Sequence, residues 1–138
     1  MKVGKNYIID HTEYMVLDGT SDRMPGQAGL ELLADRRLGV GADYVMIFTG
    51  TEREPSFLLY DGHGGKVGAG REAYMILARY LRDAQLAPNA SEMVRHLGEQ
   101  ALSAGSAQEI SCFESRITES FWNEVMQMNG VRESKEIA

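Results

Sequence analysis

The stretch DGHGGKVGAGREAYMILARYLRD, residues 61–83, decides how the rest of this chain is read. It opens as a loop in which Gly62, Gly64, Gly65, Gly68 and Gly70 crowd together, and a helical run follows. Within that run, Ala73-Tyr74-Met75-Ile76-Leu77-Ala78 is apolar on every face. A helix of that kind is normally buried all round. The expectation is therefore a central helix over 71–86, wrapped by other elements. The glycine loop at its N-terminus offers unpaired N–H groups and the positive end of the helix dipole, which suit a carboxylate or a phosphate. The same glycines also read as a tight turn that lets the helix pack closely.

Upstream of the loop, Tyr7-Ile8-Ile9 and Tyr14-Met15-Val16-Leu17 are rich in aromatic and β-branched residues and read as strands. Asp10 to Glu13 between them is a turn or a bulge. A short amphipathic helix follows from Ala28 to Arg37, with Arg36 and Arg37 in its last turn and Gly39 at the C′ position. Tyr44 to Phe48 is a buried strand, and Phe57 to Tyr60 a further one. Downstream, Asn89 and Glu92 form a capping box that opens a helix ending at Gly105. Gln108 to Phe113 reads as a brief strand. A last amphipathic helix over 116–128 carries Ile117, Phe121, Trp122, Val125 and Met128 near one face, closed by Asn129-Gly130. Strand, loop, strand, glycine loop and helix make an α+β domain rather than a run of βαβ units.

Composition narrows the classes. A chain of 138 residues is long enough for one domain with a real core. Its net charge of −6, with no clustered Lys/Arg stripe, argues against nucleic acid as a partner. No apolar run reaches the length of a membrane span, and the apolar core near the N-terminus is too short for a secretory signal. The one cysteine, Cys112, excludes an internal disulfide and any multi-cysteine metal site, and a reducing cytoplasm is the default expectation. His11, His63 and His96 sit at no metal-ligand spacing, so no metal and no other cofactor is expected.

Three stretches in order resemble a known family. Leu32-Leu33-Ala34-Asp35-Arg36-Arg37-Leu38-Gly39-Val40-Gly41-Ala42-Asp43 is similar to the C-D-R-x-x-G-I-G-A-D segment of diaminopimelate epimerase. Phe57-Leu58-Leu59-Tyr60-Asp61-Gly62 resembles its strand ending in N-A-D-G-S. Val67-Gly68-Ala69-Gly70, with Ala78-Arg79-Tyr80-Leu81, resembles its C-G-N-G loop and central helix. The resemblance covers about residues 5–85, one of the family's two domains. It implies a curved, mostly antiparallel sheet wrapped around the central helix, as a core over 5–85 of a single domain spanning 1–138. A helical extension would follow over 86–130 and a frayed polar tail over 131–138.

The resemblance also implies chemistry that this sequence lacks. The family moves a proton at an amino-acid α-carbon with two cysteines, one per domain, and the first of them is matched here by Val67. The asparagine of the glycine loop is Ala69, that of N-A-D-G is Tyr60, and the family's G-N-D-F is matched by His11-Thr12-Glu13-Tyr14. After Asp83, where the family continues into strands, this sequence reads as helices. Two-base epimerisation needs an acid and a base on opposite faces of the reacting carbon, and Val67 is neither.

The candidate ligand-binding residues are Lys66, Gly68, Ala69, Gly70 and Arg71, a backbone cradle with two added positive charges. The loop is no Walker motif, because Val67 follows Gly65-Lys66. It is no dinucleotide fingerprint either, because Val67 stands where the third glycine belongs. An acyl-CoA loop is a poor match, with Gly65 where an arginine or glutamine is expected. His63 is the weak candidate for catalysis, histidine being the residue type suited to acid–base work near neutrality, against the alternative of a solvent-facing turn histidine. Cys112, flanked by acids, reads as inert. Asp35, Arg36 and Asp43 read as turn-fixing by capping and ion pairing. Phe121, Trp122 and Met126 read as core or as a dimer seam.

Three functions are open at this stage. The first is a catalytically degenerate epimerase-like domain binding a small anion such as an amino acid or carboxylate. The second is an active isomerase using non-cysteine residues or a partner subunit. The third is a structural interaction module. A homodimer or a separate second-domain partner would complete a two-sided site.

Overall fold

The computed structural model describes residues 2–19, 24–50, 55–83 and 110–137. Among these residues six strands form one mixed sheet, with three helices. The strands are β1 (Lys2–Ile9), β2 (Thr12–Asp18), β3 (Tyr44–Gly50), β4 (Pro55–Asp61), β5 (Lys66–Val67) and β6 (Ile110–Ile117). The helices are α1 (Gln27–Ala34), α2 (Arg71–Asp83) and α3 (Glu119–Ile137). The sheet order is β5-β4-β3-β2-β1-β6, and among the described residues the sheet is not closed. Every neighbouring pair is antiparallel except β2 and β3, which run parallel with α1 in the crossover between them. The fold is α+β.

The runs Tyr14 to Leu17 in β2 and Tyr44 to Phe48 in β3 are apolar without interruption because both faces of the sheet are covered. On one face, Tyr14, Val16, Met46 and Phe48 pack with Ala73, Met75, Ile76, Leu77, Tyr80 and Leu81 of α2. On the other, Met15, Leu17, Val45 and Ile47 pack with Leu30 and Leu33 of α1 and Val125 of α3. Alternate side chains of one strand thus feed two cores, which is why no polar residue breaks the run. Ile76 and Leu77 are fully buried at the centre of the α2 layer.

Asp10 and His11 form a two-residue hairpin turn, both at positive φ (49° and 66°), as the right-handed twist of the flanking strands requires. Of the 10–13 segment, Asp10 and His11 are the turn, while Thr12 and Glu13 already belong to β2.

Helix α1 stops at Ala34, short of the expected Arg37, and Gly39 is not its C′ residue. The Asp35 carboxylate takes the amides of Arg37 (2.7 Å) and Leu38 (2.8 Å) and peels the chain off the helix. The segment then folds back over the helix end. Val40 and Gly41 donate to the Leu33 carbonyl and Ala42 to that of Ala34, satisfying groups the helix leaves unpaired. Gly39 is needed for that close approach, since a Cβ would run into the Leu32 carbonyl oxygen.

The strand expected over 108–113 is β6, which extends to Ile117. Helix α3 therefore starts at Glu119 rather than 116. Thr118 caps it, its hydroxyl accepting the Phe121 amide at 3.2 Å. The helix continues to Ile137. The helix expected from Asn89 to Gly105 lies outside the described residues. Among the described residues no helix is long and apolar enough to cross a membrane.

Candidate ligand-binding site

The turn between β4 and β5 is built by Asp61. Its side-chain oxygen accepts the amides of His63 (2.9 Å) and Gly65 (3.0 Å), and its backbone exchanges hydrogen bonds with Gly64 and Gly65. Those amides, Gly65's first, hold the Asp61 carboxyl below its ordinary value. Gly64 sits at φ 78°, and a Cβ there would strike the Gln27 carbonyl, so the turn is seated on the start of α1. His63 consequently faces α1, its Nδ1 lying 3.5 Å from a Glu31 carboxylate oxygen with the ring 87% exposed.

Beyond β5 the chain crosses to the other face of the sheet through Gly68-Ala69-Gly70, all exposed. A Cβ added at Gly68 or Gly70 would meet nothing within 4 Å, and neither residue has a left-handed φ. The two readings of the glycine loop therefore divide by residue. Gly64 serves a tight turn and close packing, while neither sterics nor backbone conformation requires glycine at 68 or 70.

Between this loop and the β4 edge lies a cleft of about 270 Å³. Phe57 and Leu59 come from β4, Lys66 and Val67 from β5, and Ala69 and Tyr74 close it from the loop and α2. The Phe57 and Tyr74 rings meet edge to face, centroids 5.5 Å apart, a favoured aromatic geometry. Of the predicted binding residues, Lys66 and Ala69 line the cleft, while Gly68, Gly70 and Arg71 belong to the loop and helix start beside it. His63 is not part of the lining.

The first turn of α2 already carries a carboxylate. Glu72 accepts the Tyr14 hydroxyl at 3.0 Å, and the Tyr14 ring stacks on Tyr44 at 5.0 Å. Burial, and then the Glu72 contact, push the Tyr14 phenol well above its ordinary value, so it stays a neutral donor.

Asp35 holds the end of α1, while Arg36 and Asp43 lie in a separate network. Arg36 bridges Glu13 (3.3 Å) and Asp43 (3.1 Å), which raise its pKa, Asp43 foremost. Asp43 also accepts the Glu13 amide at 2.8 Å. Glu13 in turn accepts from the fully buried Asn6 at 2.6 Å, whose side-chain oxygen takes the Ser115 hydroxyl at 2.7 Å. Asn6 is not marked out in the sequence, where it follows Gly4 and Lys5 in β1. Phe57 and Tyr74 were also missed as site residues, because nothing local shows that they meet.

Cys112 is exposed on β6, opposite Tyr7 in the register. Phe121 and Trp122 pack, half-buried, against the α1 layer. Among the described residues no group of three His, Cys, Asp or Glu side chains is placed to hold a metal ion.

Fold and cleft together define an open-sheet α+β domain with a small apolar cleft beside a glycine-rich helix start. No protein-family model matches the chain, and no curated protein matches it.

Proposed function

We propose that this is a diaminopimelate-epimerase-like domain that lacks the acid–base cysteine and binds a small anionic ligand beside the loop from Lys66 to Arg71. The observation that carries the reading is the cleft itself. It adjoins two glycines whose lack of a side chain the fold does not need, and Lys66 is among the residues that line it. Glycine at such a position leaves room for close approach of a ligand to the backbone.

Binding is favoured over catalysis because, among the described residues, no Cys, His, Asp or Glu lines the cleft. Val67, where the resemblance has its first cysteine, forms part of the wall and has no proton to move.

Thermal unfolding in the presence of a panel of carboxylates, phosphates and acyl-CoA tests the proposal. A ligand specific for the folded state at a hundred times its Kd adds about 2.7 kcal/mol, an easily read rise in Tm. The expected result is a rise with a carboxylate that disappears in Gly68→Val, while the ligand-free Tm of that variant stays close to the parent's. An equal rise in the variant removes the glycine loop from the site. No rise with any of them removes the binding function and leaves an interaction module.

A further inference from the structure

Among the described residues β6 ends the sheet, with β1 on one side of it. The register gives the direction of its peptide groups. The Glu13 carbonyl accepts the Asp43 amide, so Glu13 bonds toward β3 and the next residue, Tyr14, toward β1. Tyr7, opposite Tyr14, then bonds toward β2, and Asn6 beside it toward Phe113 of β6. Because these groups alternate along a strand, the amides and carbonyls of Cys112, Glu114 and Arg116 point away from β1. All three residues are exposed, as are Ser111 and Phe113. The strand has no proline or glycine to blunt it, and such an edge is a template for another strand.

We infer that the occupant is β6 of a second copy of this chain, paired antiparallel about a two-fold axis at Ser115, whatever the cleft binds. Charge complementarity selects both the partner and the register. Centred on Ser115, the pairing sets Glu114 of each copy opposite Arg116 of the other, and these are residues whose outward peptide groups can close the ladder. Centred on Glu114 or on Arg116, it would oppose like charges. Centred on Phe113, it would set Glu114 against Cys112 and Arg116 against Ile110. Opposite charges directly across a ladder stabilise it and like charges destabilise it. On the other face of the sheet the Ser115 register sets Phe113, 47% exposed, across from Ile117, an aromatic and β-branched pairing of the favoured kind. The contact is the same patch on both copies, so it closes as a dimer. At the far end of the sheet β5 has only two residues, a poor mate for β6 in a head-to-tail contact.

Sedimentation of the full chain over a range of concentrations at low salt tests this. The expected result is a monomer–dimer equilibrium with no larger species. Glu114→Arg and Arg116→Glu should each raise the dimer Kd by about tenfold, since each opposes like charges at two places. The double variant, Glu114→Arg with Arg116→Glu, should bring the Kd back near the parent's. Amide hydrogen exchange on the unaltered chain gives a reading that no folding defect can imitate. The Glu114 and Arg116 amides should lose protection as dilution separates the copies, while the Ser115 amide, bonded to β1, keeps it. A monomer at every concentration overturns the inference, and so does an open series of larger species. A dimer indifferent to the single reversals, not restored by the double one, or without change at the Glu114 and Arg116 amides also overturns it.

Discussion

Asp61 shows how one side chain sets the entrance to the cleft. By accepting the amides of His63 and Gly65 it closes the β4–β5 turn, and the closed turn directs Lys66 and Val67 into β5. Those bonds favour the ionised carboxyl and hold it below its ordinary value of 3.8. The sign follows directly. A carboxylate with a depressed folded-state pKa stabilises the fold at every pH above its unfolded value, and that contribution is lost as pH falls through the folded value. An acid titration should therefore show the His63 and Gly65 amide signals moving together with a midpoint below 3.8, and Asp61→Ala should abolish the shared transition. A midpoint at or above that value would mean that the turn does not depend on the ionised side chain.

At the scale of elements, the crossing of α1 and α3 depends on Gly29. A Cβ there would run into the Val125 carbonyl oxygen of α3, so the helices approach through backbone at this point rather than through side chains. Gly29→Ala improves local helix propensity by about 1 kcal/mol. It should nonetheless lower stability by about 1–3 kcal/mol, because a backbone clash between packed helices is relieved only by separating them. Urea unfolding measures the balance, and a variant as stable as the parent would place α3 elsewhere. The same crossing explains Phe121, Trp122 and Val125. Their spacing fits both a core face and a dimer seam, and they pack on the α1 side of the sheet.

Across the whole molecule, the chain from Ser115 through Asn6, Glu13 and Arg36 to Asp43 ties β6, β1, β2 and the loop before β3 together. The network spans long separations in sequence, 109 residues between Asn6 and Ser115 and 30 between Glu13 and Asp43. Asn6→Ala leaves a buried hydroxyl and a carboxylate oxygen without their partner, a loss of about 1–3 kcal/mol. The loss in Asn6→Ala combined with Ser115→Ala should fall short of the sum of the single losses, since the two side chains share one bond. Strict additivity in denaturant unfolding would show that the two act independently.

Much of this architecture was legible in local sequence. The strands around Tyr7, Tyr14, Val45 and Phe57 and the helix from Arg71 follow from apolar runs, periodicity and turn residues, all of which act between near neighbours. So does the glycine loop, and with it Lys66 and Ala69 of the cleft. Where α1 ends was not legible, because Asp35 competes for the next amides and Arg36 is drawn to Glu13 and Asp43, one of them on a different strand. Nor was the division of labour among the glycines, since Gly64 is fixed by α1 and Gly68 is left open by everything around it. The cleft is a tertiary product in the same sense: Phe57 and Tyr74 form its wall only because β4 and α2 pack together. Local pattern specifies which segments become strands and helices, while contacts between distant segments decide which side chains share a surface and so what that surface can bind.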